Sequence, residues 1–474
     1  MTRMSIRLMA GALPALALGA CSLAPKYVQP DLPVPTSWPV GDAYLQQSEA
    51  SLPVVSYKDV FRNPRLQSLV EQALANNRDL RVAAANVAAA RAQVRVTRAN
   101  QFPAVGISGS ATDSETGGGF GLNGMSYSVQ GGISSFELDL FGRLANATRS
   151  DRDTALATEA AARTVRLGLV ADLAQAWATY AADTDLLKLA QATADNAKDS
   201  VRLSAARLKG GVAARTELRQ AEQVLETANG DLATQTAALA QDVNAIRLLV
   251  GAEFDRALLP AGIDEVNAGL GEVPAGLSTQ VLLRRPDVVQ AEYQLRAANA
   301  DIGVARAQLF PTISLSALIG FASQSLSSLF DTASRTTTLG ADGSWSVFNA
   351  GGRRANVEVT KAQRDAALAT YEKAIQTAFQ ETADALADQG TLAERLRAAT
   401  AFTSAAQDTA TLTEASYRRG IVGSLDNLDA QRSLYSARQA EIAVRLTLAG
   451  NRIALYRVLG GDQATTPAAG TAQP

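Results

Sequence analysis

The chain has 474 residues, a formal net charge of −2 at neutral pH and no histidine. A charge so close to zero gives no basic footprint for nucleic acid, so we expect no such partner. The absence of histidine excludes histidine-based acid–base catalysis, serine–histidine triads and histidine-ligated metal sites. There is also no phosphate-cradling Gly-Lys-Ser/Thr loop. These absences exclude histidine-dependent chemistry and a nucleotide-binding loop of this type. We also expect no enzymatic reaction, no cofactor and no metal site.

The N-terminus has the pattern of a secretory signal, with arginines followed by an apolar stretch from Leu8 to Leu18. Small residues and then Cys21, the one cysteine of the chain, close this stretch. The arrangement is similar to the lipidation signal of bacterial lipoproteins. We predict a signal peptide over residues 1–20 and acylation of Cys21, palmitate included. By analogy with other lipoproteins, Ser22 after the cysteine fits sorting to the outer membrane. An ordinary signal peptide with a chance cysteine is the alternative.

Residues 21–64 are rich in proline and predict an extended arm. A first structural repeat follows over residues 65–250. It begins with a helix, because apolar residues recur at helical spacing from Leu66 to Val94. Phe102-Pro103 ends that helix, since proline lacks an N–H and its ring clashes with the preceding turn.

The rest of the first repeat is a hairpin and two helices. Alternating residues predict a β-hairpin over residues 103–140, with a bulge near Ser134-Ser135. Residues 143–209 contain no proline and a single glycine, which predicts one very long helix. Gly210-Gly211-Val212 breaks this helix, and a return helix is expected over residues 216–250.

A linker over residues 251–276 leads into a second repeat over residues 277–460, whose elements recur at an offset of about 207–210 residues. The second repeat has a helix that ends at Phe310-Pro311 and a hairpin over 311–348, whose last strand includes Trp345 and Val347. A long helix over 352–419, a break at Gly420-Ile421-Val422 and a return helix over 426–459 follow. Residues 461–474 predict a disordered tail.

Four amphipathic strands per chain cannot close a barrel, and open strand edges are not tolerated in lipid. Two copies would supply eight strands, whose interior is filled by side chains, and three copies would supply twelve and leave a lumen. The long helices cross no membrane and must pack on one another laterally. The expected fold class is mainly α with membrane β, internally duplicated, with a membrane barrel continued by a helical tube.

Several segments of the chain resemble the signature of TolC-like outer-membrane efflux proteins, the outer membrane factor family, in the lipoprotein branch of RND-type multidrug efflux systems. These segments are Cys21-Ser22-Leu23-Ala24-Pro25, Arg284-Arg285-Pro286-Asp287, the alanine-rich run over 297–307, Phe310-Pro311, Trp345-Ser346-Val347-Phe348 with Gly351-Gly352-Arg353, and Leu428-Asp429-Ala430-Gln431. The resemblance implies a homotrimer with a twelve-stranded β-barrel continued by a twelve-helix α-barrel of long coiled-coil helices. It also places the arm and the linker in an equatorial collar.

The resemblance implies the outer-membrane channel of a tripartite efflux pump, which passively conducts small molecules such as drugs to the outside. Its partners would be a periplasmic adaptor (membrane fusion protein), an inner-membrane RND-type transporter and outer-membrane lipid. The helices would project from the lipid-anchored outer-membrane part into the periplasm. A type I polypeptide secretion conduit with the same architecture is the alternative. A pore-less structural protein of the cell envelope is a third hypothesis, and the proline-bounded hairpins count against it.

In this family, rings of side chains just after the tip turns close the periplasmic end. Three copies of Asp429 would form an acidic ring that needs cations or protonation, with Leu425 as an apolar ring nearby. Glu217 and Asp426 could instead serve only as the acidic residues that helix N-termini prefer. Val422 stands where some relatives place an arginine. Arg418 or Arg419 could replace that arginine or could equally be solvated, so the sequence does not decide whether an ionic lock closes the tip. The complete set of expected gate positions is Thr216, Glu217, Tyr417, Leu425, Asp426 and Asp429.

The tip turns themselves are the expected docking face for the periplasmic adaptor. Their glycines could equally serve only to end the helices, and the two roles are compatible. The expected docking residues are Gly210, Gly211 and Val212 in the first repeat and Gly420, Ile421 and Val422 in the second.

Overall fold

The computed structural model describes residues 22–31, 33–35, 37–39, 41, 43–44, 56–114, 124–271 and 279–461. The predicted signal peptide over residues 1–20, Cys21 and all but the first residue of the predicted tail lie outside these ranges. The chain divides into two compact units. The first unit takes its described residues from Met1–Asp31, Ala85–Ala160 and Val289–Lys373, and the second from Leu32–Ala84, Ala161–Val288 and Ala374–Pro474.

The first unit contains a four-stranded antiparallel sheet in the order β1-β2-β3-β4. The sheet joins the two halves of the sequence, because Tyr127 on β2 lies opposite Ser323 on β3. The register shifts between Ile133 and Phe136, where the sequence predicts a bulge. The strands are β1 (Gly106–Ser114), β2 (Gly124–Glu137), β3 (Thr312–Ser323) and β4 (Arg335–Ser344).

The prediction that the fourth strand includes Trp345 and Val347 is wrong, because β4 ends at Ser344. Ser344 pairs with Thr312, the first residue of β3. The residue before Thr312 is proline, which has no N–H to donate to a further pair. The Trp345 indole instead donates to the Leu309 carbonyl over 3.1 Å.

The helical part of the first repeat begins with two helices where the sequence predicts one. Helix α2 (Pro64–Asn76) and helix α3 (Arg78–Ala99) are separated by Asn77. The Asn77 side-chain oxygen accepts from the backbone N–H groups of Asp79 and Leu80, at 2.9 and 3.1 Å, and so caps α3. Its amide nitrogen donates to the Leu249 carbonyl over 2.9 Å. The other helices of this repeat are α1 (Tyr57–Val60), α4 (Arg143–Lys209) and α5 (Arg215–Val250).

The segment between the repeats is more than a linker. It contains a short 3-10 helix (Arg256–Leu258) and helix α6 (Ile263–Gly269), and Leu270 bridges to Phe61. Ile263 and Val266 are buried in the core of the second unit, where they add apolar area that a mobile linker would leave in water. The second repeat then has a 3-10 helix (Thr279–Arg284), α7 (Pro286–Ala307), α8 (Gly352–Arg418) and α9 (Ser424–Val458).

The core of the second unit is built around Trp177 and Tyr456, both fully buried. The Trp177 indole donates to the Leu258 carbonyl over 3.0 Å, which satisfies its one polar atom. Tyr456 packs edge-to-face on Phe61 with ring centroids 5.0 Å apart. Among the described residues, no helix has an apolar run long enough to cross a membrane.

Candidate functional site at the helix tips

The first tip turn ends helix α4 in a Schellman motif. The N–H of Val212 donates to the carbonyl of Arg207, and the N–H of Gly211 donates to the carbonyl of Leu208, each over 3.0 Å. Gly211 has a φ of 74°, a left-handed conformation that glycine adopts without steric cost. Gly211 therefore ends the helix.

The second tip turn repeats this motif at the end of α8. The N–H groups of Ile421 and Gly420 donate to the carbonyls of Ser416 and Tyr417, each over 3.0 Å, and Gly420 has a φ of 75°. Capping thus explains Gly211 and Gly420. It does not explain why Val212 and Ile421 are each 70% exposed.

The first turn of α9 contains two of the expected gate residues, with different surroundings. The Asp426 carboxylate accepts from the N–H of Gly423 over 3.3 Å, so it caps the helix as the alternative reading expects. Leu425 makes no such bond and is 60% exposed. Leu425 lines two grooves, one between α4, α5 and α9 and the other between α8 and α9.

Asp429 is exposed on α9 and lines the groove between α8 and α9 together with Leu425. Its carboxylate accepts from the Arg432 guanidinium over 2.8 Å. This ion pair lies on one helix face at spacing i,i+3 and is solvent-exposed, so it contributes only weakly to stability. The arginine nevertheless supplies a positive charge beside the Asp429 carboxylate, which the prediction of a purely acidic ring does not include.

Tyr417 is buried at the end of α8, where the guanidinium carbon of Arg207 lies 4.9 Å from its ring centroid. This cation–π contact joins the last turn of α8 to the last turn of α4.

In the first repeat, Thr216 is exposed and Glu217 is half-buried. One Glu217 oxygen is buried without a hydrogen-bond partner in the described part of the chain. The described contacts do not join Glu217 to Asp426 or Asp429.

A deeper contact between the two return helices has no signal in the sequence. The Tyr435 hydroxyl on α9 donates to the Asp231 carboxylate on α5 over 2.9 Å. Burial, together with this carboxylate, raises the pKa of Tyr435 to about 12. Both side chains line the groove between α4, α5 and α9, whose volume is about 390 Å³.

A carboxyl pair lies farther along, where α4 and α5 pack on each other. Burial and, to a smaller extent, the neighbouring Asp183 carboxyl on α4 together raise the pKa of Asp242 on α5 to about 6. The pKa of Asp183 is also raised, again chiefly by burial. Two carboxyls in one partly buried place favour the state in which they share a proton.

Comparison with known proteins shows the class to which this fold belongs. The outer membrane efflux protein family matches residues 69–252 and 277–461, one match for each repeat. The chain therefore belongs to the outer membrane efflux protein family. The predicted fold class is confirmed: it is the mainly helical, internally duplicated fold of the outer-membrane efflux channels.

Individual relatives match over nearly their whole length. The toluene efflux pump outer membrane protein TtgC of Pseudomonas putida is 40% identical, with 97% of this chain and 96% of the relative covered. The cation efflux system protein CusC of Escherichia coli is 36% identical, with 94% of this chain and 97% of the relative covered. The open state of the Neisseria gonorrhoeae MtrE outer membrane channel has a TM-score of 0.82 at 32% identity, with coverages of 93% and 98%.

These comparisons confirm the predicted outer-membrane location and the role in efflux. The chain is an outer-membrane channel component of an efflux system. Its family is one of efflux ducts and not of enzymes.

Proposed function

We propose that three copies of this chain form the passive exit duct of a tripartite efflux pump. The duct carries out no reaction and conducts small molecules that a periplasmic adaptor and an inner-membrane RND-type transporter deliver. The names of the relatives support small solutes, since one speaks of toluene and another of cations. Names that differ so widely suit a duct whose pump selects the substrate.

The observation that carries the trimer is the sheet. Within the described residues, β1 pairs only with β2 and β4 pairs only with β3, so each has one unpaired edge. Edges must be paired in lipid, because no water is present to accept or donate hydrogen bonds. Three four-stranded sheets joined edge to edge supply a twelve-stranded β-barrel, which leaves a lumen. The long helices of the same three copies supply the twelve-helix α-barrel.

We assign the resting constriction chiefly to Leu425, with Asp429 as a ring that favours cations. The exposure of Leu425 in the single chain supports this, because an apolar side chain in water gains free energy when it packs against its copies. Asp429 and Arg432 supply both signs of charge at that level. The other residues of the proposed gate lie around this ring and hold it in place. They are Thr216, Glu217, Tyr417 and Asp426.

The exposed apolar residues Val212 and Ile421 are the proposed contacts for the adaptor. Both residues lie in Schellman motifs, whose hydrogen bonds already fix the backbone. Binding of the adaptor therefore costs little backbone conformational entropy. Acylation of Cys21 provides the proposed lipid anchor. Several acyl chains hold a protein on the membrane more firmly than one does.

The test uses the purified full chain in detergent and in planar bilayers. Light scattering with correction for detergent should give the mass of three copies, and the same preparation should show discrete ion conductance. A monomer that conducts would contradict the trimer, and a trimer that does not conduct would contradict the duct. Mass spectrometry of the mature N-terminal peptide tests acylation separately, and an unmodified Cys21 would refute the anchor.

A further inference from the structure

Two sequence motifs have no role at the tips. They are residues 22–25, which form the first described part of the arm, and the alanine-rich run on α7. Three residues of that run, Asn299, Gly303 and Arg306, recur at spacings of four and three and therefore lie on one helix face. Both motifs belong to the first unit. The structure brings them into contact.

The contacts are made to the main chain of the arm. The Asn299 side-chain amide donates to the Pro25 carbonyl over 2.8 Å. The Arg306 guanidinium donates to the Leu23 carbonyl over 3.0 Å. A charged donor to a carbonyl oxygen is among the stronger hydrogen bonds in proteins. The helix thus binds the main-chain carbonyl groups of a peptide that is neither helix nor strand and that bends at Ala24.

Gly303 lies between these two donors and permits close approach. A Cβ added there would lie 2.8 Å from the Cβ of Ala24 and 2.6 Å from the side-chain nitrogen of Asn146. Asn146 is fully buried, and its side-chain oxygen accepts from the Ser22 hydroxyl over 2.8 Å. Both the glycine and the small Ala24 are therefore needed for the arm to fit.

A second set of contacts continues along α7. The Tyr27 hydroxyl donates to the Glu292 carboxylate over 3.3 Å, and the guanidinium carbon of Arg296 lies 4.9 Å from the Tyr27 ring centroid. Arg296 also pairs with Glu292 over 2.6 Å. The arm therefore contacts α7 from Arg306 back to Glu292, which is about four helical turns.

We propose that Asn299, Gly303 and Arg306 form a peptide-binding cradle whose partner is the N-terminal arm of the same chain. The cradle recognises two main-chain carbonyl groups on either side of a small residue that lies opposite Gly303. It holds Ser22 against Asn146, only three residues after the start of α4 at Arg143. Since Ser22 directly follows Cys21 in the sequence, the cradle fixes the position of the residue next to the predicted acylation site.

The equivalent positions of the first repeat confirm that the cradle is not a general property of this helix. An offset of 208 residues places Arg91, Arg95 and Arg98 where the second repeat has Asn299, Gly303 and Arg306. Arg91 pairs with Glu159 instead of with a peptide. Neither small size nor an amide donor is present at these positions.

The arm carries its own reporter, because trypsin cleaves after Lys26, which is exposed within the docked segment. A protease needs a locally unfolded segment, so the rate of cleavage at Lys26 reports how often the arm leaves the cradle. The experiment uses the purified full chain in detergent and measures this single cleavage by mass spectrometry. Arg306→Ala, Gly303→Val and Ala24→Trp should each accelerate it about tenfold.

Gln294→Ala is the matched control, since Gln294 is exposed on the same helix and should leave the rate unchanged. Circular dichroism checks that the helices of each variant are intact. Ala24→Trp alters only the arm, so it decides the outcome if a helix variant misfolds. Cleavage of a folded Ala24→Trp protein at the wild-type rate would refute the cradle.

Discussion

Helices α3 and α7, which lead into the hairpins of the two repeats, have the same length and opposite burial. Helices α3 and α7 each contain 22 residues and begin at equivalent positions, Arg78 and Pro286. In the described structure α3 has no buried residue. The buried residues of α7 are Pro286, Val288, Ala291, Leu295, Ala297, Asn299, Ala300, Ile302, Gly303, Ala305 and Ala307.

The difference has a physical meaning, because α3 is not a polar helix. Val82 and Val96 on α3 are each 59% exposed, and seven of the thirteen residues between them are alanine. Apolar residues of this kind favour burial, and the chain itself provides it only for α7, in part through the arm. Duplication thus gave two similar helices, of which one is covered within the chain, and we expect a neighbouring copy to cover the other.

The largest effect is expected from a charge on the exposed face of α3. Val96→Asp should reduce the trimeric fraction at least tenfold while leaving helix content unchanged, because the interface would have to bury three carboxylates. Light scattering and circular dichroism measure the two quantities. Val96→Thr, which keeps the shape without a charge, is the control. A normal trimer of Val96→Asp would show that α3 faces solvent in the assembly.

A second experiment compares the residues that precede the two helices. Arg285 is buried, pairs with Asp287 and Glu381 over 2.7 Å each, and donates to the Val458 carbonyl. Arg285→Ala leaves both carboxylates without their cation and should lower the free energy of unfolding by about 2–3 kcal/mol, less than a fully buried pair because both acids are partly exposed.

Asn77 is its counterpart in the first repeat and supplies a cap rather than an ion pair. Asn77→Ala should lower the free energy of unfolding by about 1–2 kcal/mol. Urea unfolding followed by circular dichroism gives both values. Equal losses in the two variants would mean that the charge cluster adds nothing beyond a cap.

A third experiment concerns positions that differ in polarity between the two tip turns. Leu425 in the second repeat corresponds to Thr216 in the first. If apolar packing closes the duct, Leu425→Ala should raise resting conductance several-fold, and Thr216→Ala should change it little. Asp429→Ala should mainly weaken cation selectivity and block by divalent cations. Single-channel recordings in which none of these variants differs from wild type would place the constriction elsewhere.

The smallest effect is expected at the carboxyl pair, where the second repeat has Leu392 and Asn451 in place of Asp183 and Asp242. A raised pKa means that the folded state favours protonated Asp242. Its contribution to stability is therefore present below pH 3.8 and is lost as the pH rises through about 6. Asp242→Asn should raise the unfolding temperature at pH 7.5 and flatten its dependence on pH between 4 and 7.

Thermal unfolding at a series of pH values measures this change. Asp195→Asn is the control, because hydrogen bonding from Gln191 lowers the pKa of that exposed carboxyl. It should give no increase in unfolding temperature at pH 7.5. An unchanged pH profile for Asp242→Asn would show that the pair is solvated and does not share a proton.

The sequence predicts elements whose cause is local and misses those whose cause is distant. Proline, glycine and the period of apolar residues indicated both long helices and the tip turns at Gly211 and Gly420, because these signals act within a few residues. The end of β4 at Ser344 depends on where its partner strand begins. The break at Asn77 depends on a hydrogen bond to Leu249, far away in the chain.

The same division holds at the candidate site. Family resemblance supplied Leu425 and Asp429, and the position after a turn supplied the capping alternative for Asp426. The ring contact of Arg207 with Tyr417 and the bond from Tyr435 to Asp231 join residues about two hundred positions apart. No spacing rule predicts such a pair, because the packing of separate helices brings its members together.

The central seam of the sheet imposes an order of events on the newly made chain. Strands β1 and β2 meet through a short connection, but β2 pairs with β3, which follows only after both long helices of the first repeat. Closing so long a loop costs more entropy than closing a hairpin, and distant strand pairing is slow. During this delay the first hairpin exposes both edges to other chains, which favours aggregation. The topology therefore implies that the strand edges of the first hairpin must be kept from other chains until β3 of the second repeat pairs with β2.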